Sequence, residues 1–291
     1  MKVSVSIVLM SGVLITAVNC KKNDNNAIPP SPPAEKEVSL QTNATLGKYL
    51  VDKQNHALYF FSNDPNGQDS CTGGCQAIWP IFNIDNLTTD NLGDGLTISD
   101  FGSVISVSGK KQVTYKGWPL YYYAPVVNGT NTQEAPGQTL GDGVGNVFFV
   151  AKPDYTIMMV NAQLVGHDTK SYKSDYTEGI GKTTYFTDDR GVTLYTFTLD
   201  SSNNNNFTKP DFSNDNVWPI YQTDKIVVPS ILDKTKFGSI DVFGKTQLTY
   251  NGWPLYYFGQ DGQTRGFNKG ISFPHPGIFP VPGPGFTQAP R

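Results

Sequence analysis

Two aspartates stand in the same local setting, Asp64 after Tyr59-Phe60-Phe61 and Asp200 after Tyr195-Thr196-Phe197, each at the end of a strand-forming run. A carboxylate repeated at such a place can work as a general acid or base, help to hold a cation, or accept backbone N–H bonds and close an Asx-turn. Asp64, Asn66 and Asp69 together offer oxygens to Ca²⁺. Their spacing does not supply the full ligand set of calcium loops, so the turn is the expected role and no metal is assigned. His56, His167 and His275 fall at positions that do not correspond between the two halves of the chain, which argues against a duplicated metal site or triad. The sequence has no Gly-x-Ser-x-Gly elbow, His-Glu-x-x-His helix or phosphate loop. No residue is assigned as catalytic, and the chain is read as a non-enzyme.

The four tryptophans, Trp79, Trp118, Trp218 and Trp253, all precede proline. Packing is the expected role, because aromatic rings bury large areas and a Trp-Pro step stiffens the start of a strand. An exposed aromatic platform for sugar rings, haem or a partner chain is the alternative. Of the three cysteines, Cys20 closes an apolar run from Ile7 to Val18 that follows Lys2, and Lys21-Lys22-Asn23-Asp24 comes next. Residues 1–20 resemble a bacterial lipoprotein leader, in which the cysteine sulfur is acylated, although Asn19 stands where that signature has a small residue. Lipidation at Cys20 leaves Cys71 and Cys75 as a pair, with Gly73 and Gly74 between them for flexibility, and an exported chain favours their disulfide. No further Cys or His lies close by at metal-ligand spacing, and the Cys-x-x-Cys-His haem signature is absent.

These residues sit on elements that occur twice. Gln112-Val-Thr-Tyr-Lys-Gly-Trp-Pro-Leu-Tyr-Tyr-Tyr123 returns as Gln247-Leu-Thr-Tyr-Asn-Gly-Trp-Pro-Leu-Tyr-Tyr-Phe258, with nine of the twelve positions identical. Four Leu-Tyr-x-aromatic stretches begin at Leu58, Leu120, Leu194 and Leu255, and each follows a shorter strand-forming run across a tight turn. Lys116-Gly117 and Asn251-Gly252 read as two-residue hairpin loops, while Asn55 and Gly191 mark equivalent places that need positive φ. Further strands are predicted at Ser103–Val107, Asn146–Val150 and Thr156–Val160, the last two apolar throughout and so covered on both faces. The fold class is all-β, made of two tandem homologous modules of aromatic-rich antiparallel hairpins. The expected division is a signal peptide at 1–20, a disordered Pro-rich linker at 21–40, a first module at 41–170 and a second at 171–291, with residues 161–182 as the joint. The linker can reach on the order of 60 Å from a membrane. The repeats leave two packings open, a pair of independent sandwiches or one closed body.

With these motifs in place, the chain resembles a bacterial family of secreted repeats of unknown function, lipoproteins that carry a Tyr-x-aromatic-x-x-Asp motif. The motif stands here as Tyr59, Phe61 and Asp64 and again as Tyr195, Phe197 and Asp200. The family's Cys-x-Gly-x-Cys followed by Trp-Pro matches Cys71 to Pro80, and its Gln-Val-Thr-Tyr-x-Gly-x-Pro-Leu-Tyr matches residues 112–121 and 247–256. The second half departs by lacking the cysteines, and the tryptophan usual near the module end is replaced by Phe148-Phe149 and by Phe279. The resemblance implies relationship and fold more than role, since the family has no agreed activity.

A net charge of −3 and a pI near 5.6 supply no basic field for nucleic acid. The sequence therefore describes a bacterial envelope protein, exported and tied to the membrane through lipid on Cys20, that serves as a non-catalytic binding or structural module without a cofactor. The other reading is an accessory of envelope electron transfer that holds haem or a metal.

Overall fold

Tyr, Phe, Val and Thr crowd the runs between Gly, Asn and Pro turns. In the computed structural model, which describes residues 34–291, those runs form short antiparallel strands. Cys20, the leader and residues 21–33 of the Pro-rich linker lie outside the described residues, and the end of the stretch expected as disordered linker is instead ordered, since a strand begins at the buried Val38. The first half holds β1 (Val38–Asn43), β2 (Gly47–Asp52), β3 (Tyr59–Phe61), β4 (Phe101–Ile105), β5 (Lys111–Tyr115), β6 (Trp118–Pro119), β7 (Val126–Val127), β8 (Thr130–Asn131) and β9 (Phe148–Val150). The second holds β10 (Met158–Val165), β11 (Ser171–Tyr172), β12 (Lys182–Thr187), β13 (Phe237–Val242), β14 (Lys245–Tyr250) and β15 (Trp253–Pro254). The one α-helix among the described residues is the single turn α1 (Cys75–Ile78). The all-β expectation holds.

The sheets are small and follow the turn chemistry. β1 pairs with β2, β3 with β9, and β7 with β8, while β4-β5-β6, β11-β10-β12 and β13-β14-β15 are three-stranded. The two Gly-Trp-Pro hairpins turn through residues in the left-handed region, Lys116 (φ 48°) with Gly117 (φ 79°) and Asn251 (φ 49°) with Gly252 (φ 82°), the geometry that matches strand twist in two-residue loops. Asn55 (φ 67°) and Gly191 (φ 83°) also take positive φ, so two different residues meet the same backbone demand. The repeated glutamines close each hairpin from inside: Gln112 Nε2 donates to Leu120 O at 3.0 Å and Gln247 Nε2 to Leu255 O at 2.8 Å.

The earlier and later hairpins of each half meet at a pair of tyrosines. Tyr59 and Tyr121 exchange backbone bonds of 2.9 and 3.0 Å, and Tyr195 and Tyr256 exchange two of 2.9 Å. Residues 161–182, expected as a joint, instead carry β10 on to Val165 and add β11, because Asn161, Ala162 and Gln163 find partners in Thr184, Thr183 and Lys182 of β12. One cluster of buried side chains draws members from both halves, among them Leu58, Trp118, Tyr195, Trp218 and Phe279. Residues 34–291 form a single compact unit.

Candidate functional site

Asp64 is fully buried, and its acceptor sites are engaged. Oδ1 accepts from Ser70 N (2.9 Å) and Ser70 Oγ (2.7 Å), and Oδ2 accepts from the Tyr121 hydroxyl at 2.7 Å. Tyr121 also reaches Asp69 Oδ1 at 2.9 Å, and the other Asp69 oxygen accepts from Val107 N at 2.9 Å. The second half repeats the frame: Asp200 Oδ1 accepts from Asn206 N at 2.7 Å and Oδ2 from the Tyr256 hydroxyl at 2.7 Å. Each aspartate thus spans a loop by bonding six residues ahead, rather than the two residues of the expected Asx-turn. That turn exists one hairpin earlier, where Asp52 accepts from Gln54 N and His56 N and Asp188 accepts from Arg190 N and Val192 N. Asp52 and Asp188 also take the hydroxyls of Tyr122 and Tyr257, both at 2.9 Å.

The motif tyrosines complete a third pair of contacts. Tyr59 OH donates to Glu134, which accepts Leu140 N at 2.7 Å, and the hydroxyl oxygen accepts Gly141 N at 3.3 Å. Tyr195 OH donates to Asp261, which accepts Lys269 N at 3.0 Å, and its oxygen accepts Gly270 N at 3.2 Å. Glycine is required at both places, since a Cβ on Gly141 would lie 2.9 Å from the Tyr59 ring and one on Gly270 2.8 Å from the Tyr195 ring.

Burial dominates the electrostatics of these groups. Loss of water pushes the Asp64 carboxyl up to about 7 against the opposing bonds from Ser70 and Tyr121, with the neighbouring Asp69 adding to the rise. Burial likewise raises Asp200 and Asp261 to about 6. The Tyr121 and Tyr256 hydroxyls are pushed far above the ordinary tyrosine value, first by burial and then by the carboxylates they face. A carboxyl near pH 7 suits proton transfer, but only where a substrate can reach it. Asp64 and Asp200 are 0% and 2% exposed, so no substrate reaches either carboxyl.

The tryptophans are buried as well, so they form no exposed platform. Trp79 stacks on Phe148 at 3.6 Å and lies 4.6 Å from Tyr123 and 5.5 Å from Tyr59. Trp218 repeats this with Phe279 at 3.6 Å, Phe258 at 4.5 Å and Tyr195 at 5.3 Å. Phe61 and Phe197 lie on the same phenylalanines at 4.1 and 4.7 Å. Trp118 and Trp253 instead use their indole N–H groups, which donate to Asp189 O at 2.9 Å and to Thr287 O at 2.8 Å.

Cys71 and Cys75 form the expected disulfide. The cysteine-free half ties the corresponding loop with an amide. Asn214 Oδ1 accepts from Lys209 N at 3.1 Å and its Nδ2 donates to Phe207 O at 2.8 Å, and Trp218 N bonds Asn214 O as Trp79 N bonds Cys75 O. The oxygens proposed for Ca²⁺ are turned to N–H and O–H donors, with Asn66 Oδ1 accepting from Gln68 N at 3.2 Å. Among the described residues no group of three or more His, Cys, Asp or Glu is placed to hold a metal. The histidines stay apart: His56 sits 3.3 Å from Asp52 and His167 edges the Phe273 ring.

Arg265 was invisible in the repeats and is the main long-range fastener. Its guanidinium donates to the carbonyls of Pro65 (3.2 Å), Lys116 (3.2 Å) and Asp64 (3.4 Å) and lies 4.3 Å from the Trp118 ring. Burial lowers its pKa to about 10, against the raising influence of Asp64 and Asp188. Beside it, Lys116 Nζ bonds Asp189 at 2.6 Å and Arg190 bonds Asp100 at 2.7 Å. Among the described residues no helix is long and apolar enough to cross a membrane. Comparison of the chain with protein families, with curated proteins and with solved structures found no match.

Proposed function

We propose that this chain is a lipid-anchored protein of the bacterial envelope, built from two copies of one β-unit akin to the secreted repeats it resembles, and that it binds or supports without catalysing. The observation that carries this reading is the fate of the recurrent polar residues. Tyr121 and Tyr256 are buried and bonded to Asp64 and Asp200, and Tyr59 and Tyr195 are buried and bonded to Glu134 and Asp261, so the motif serves the frame. Matching bonds and matching ring distances in the two halves support duplication. β10 stands to β12 as β1 stands to β2, so the second copy begins at β10. The anchor rests on Cys20 and the leader pattern around it, and the membrane is reached through that lipid.

Two measurements test the reading. Metabolic labelling with a fatty-acid probe should mark the wild type and not the Cys20→Ala variant, and label retained by the variant removes the anchor. Protein purified from its native membrane should be colourless beyond its aromatic absorbance. A Soret or metal band would replace the binding reading with that of a redox accessory.

A further inference from the structure

The cleft between the 144–147 loop, the β10–β12 pair and the C-terminal segment differs in chemistry from four other clefts of the surface. It measures about 790 Å³, within the roughly 300–1,000 Å³ of small-molecule sites, and no Asp, Glu, Lys, Arg or His lines it. The others carry charge, such as Glu37, Asp52 and Lys53 in one and Lys152, Asp154 and Lys234 in another. Its polar groups are neutral hydroxyls and amides, Asn146, Asn161, Ser174, Thr183 and Thr184, and it has two aromatic rings, Tyr176 and Phe286. Asn161 and Thr184 are direct partners across β10 and β12, so they share one face of the sheet.

The cleft is preformed. Tyr250 OH and Asn251 Nδ2 hold the carbonyls of Pro284 and Phe286 at 2.9 and 2.7 Å, and Trp253 packs edge-on to Phe286 at 5.9 Å. Tyr176 has φ 62°, a conformation costly for a bulky side chain, and its hydroxyl accepts Val281 N at 2.9 Å. A phenol that accepts a bond still has a proton to donate.

We infer that this cleft binds a neutral oligosaccharide. Rings stack on the C–H faces of sugars, and hydroxyls and amides match sugar hydroxyls. A charged ligand would lose hydration without a counter-charge, and an apolar one would strand the amides. The inference rests on the binding-module reading and names its ligand class.

Trp253 supplies the reporter for the test. Protein-observed NMR follows its indole N–H, assigned with Trp253→Phe, during titration at millimolar concentrations with maltotriose, cellotriose, N,N′,N″-triacetylchitotriose and a linear peptide, and with trigalacturonate as the charged control. At least one neutral trisaccharide should shift that resonance, and the charged control and the peptide should not. Phe286→Ala and Asn161→Ala should each weaken binding about tenfold or more while the other indole resonances stay in place, and Phe286→Tyr should retain it. The proposal is overturned if no trisaccharide binds, if the peptide or trigalacturonate binds instead, or if the variants bind as the wild type does. Chromatography of the titrated sugar separates the two readings: intact sugar fits a binding module, whereas cleavage refutes the non-catalytic reading and leaves the site standing.

Discussion

Replacing Asp64 with asparagine changes how stability depends on pH, and the structure fixes the direction. Folding raises the Asp64 carboxyl from an ordinary 3.8 to about 7, so between those values the folded state holds a proton that the unfolded chain has released. Stability from this group is therefore complete below about pH 4 and is lost as pH rises toward 7. The gap corresponds to roughly 4 kcal/mol of destabilisation once the buried group is forced to ionise. The side chain introduced by Asp64→Asn would keep the shape and one acceptor oxygen but could not ionise. Urea titration followed by tryptophan fluorescence at several pH values from 4 to 8 measures both proteins. The wild type should lose stability on the alkaline side, and the variant should lose less, so that the difference between them shifts by on the order of 4 kcal/mol across the range. Parallel slopes would refute the argument that burial outweighs the bonds from Ser70 and Tyr121. A wild type that grows more stable with pH relative to the variant would show that those bonds win.

Other outcomes follow from the same contacts. Reducing the Cys71–Cys75 disulfide, whose sulfurs join residues four apart in sequence, should cost about 2 kcal/mol by loss of loop constraint, read as a lower urea midpoint in reductant. Asn214→Ala should cost about 1 kcal/mol in the same assay, because it frees Lys209 N and Phe207 O in the loop that has no disulfide. Arg265→Met should cost on the order of 3 kcal/mol, through three unpaired carbonyls and the lost cation–aromatic contact with Trp118. Arg265→Lys should not restore the full stability, because an ammonium lacks the planar fork that reaches all three.

The local grammar of this fold was readable, and its long-range closures were not. Asn251-Gly252 and Lys116-Gly117 announced their hairpins because the left-handed turn they need is a local demand. The apolar runs at Phe148 and Met158 announced strands covered on both faces. The tail of β10, however, reads as polar linker until β12 arrives to pair with it. The acids that receive Tyr59 and Tyr195 were hidden for a different reason. Glu134 lies eleven residues beyond Tyr123 but Asp261 only three beyond Phe258, so aligning the repeats never sets them together. Asp52 and Asp188 did stand in register, and the turn chemistry assigned to Asp64 and Asp200 belonged to them. Arg265 has no counterpart in the first half, and its partners lie about 150 to 200 residues away, beyond any pattern of spacing.

The central claim is that the repeated tyrosines are interior struts whose hydroxyls are held by buried acids. An alkaline titration of tyrosine absorbance in the near ultraviolet tests it most directly. On this account Tyr59, Tyr121, Tyr122, Tyr195, Tyr256 and Tyr257 stay protonated in the folded protein beyond the ordinary value of about 10 and ionise only as the chain unfolds. Reversible ionisation of all fifteen tyrosines near pH 10, with the fold intact, would contradict it.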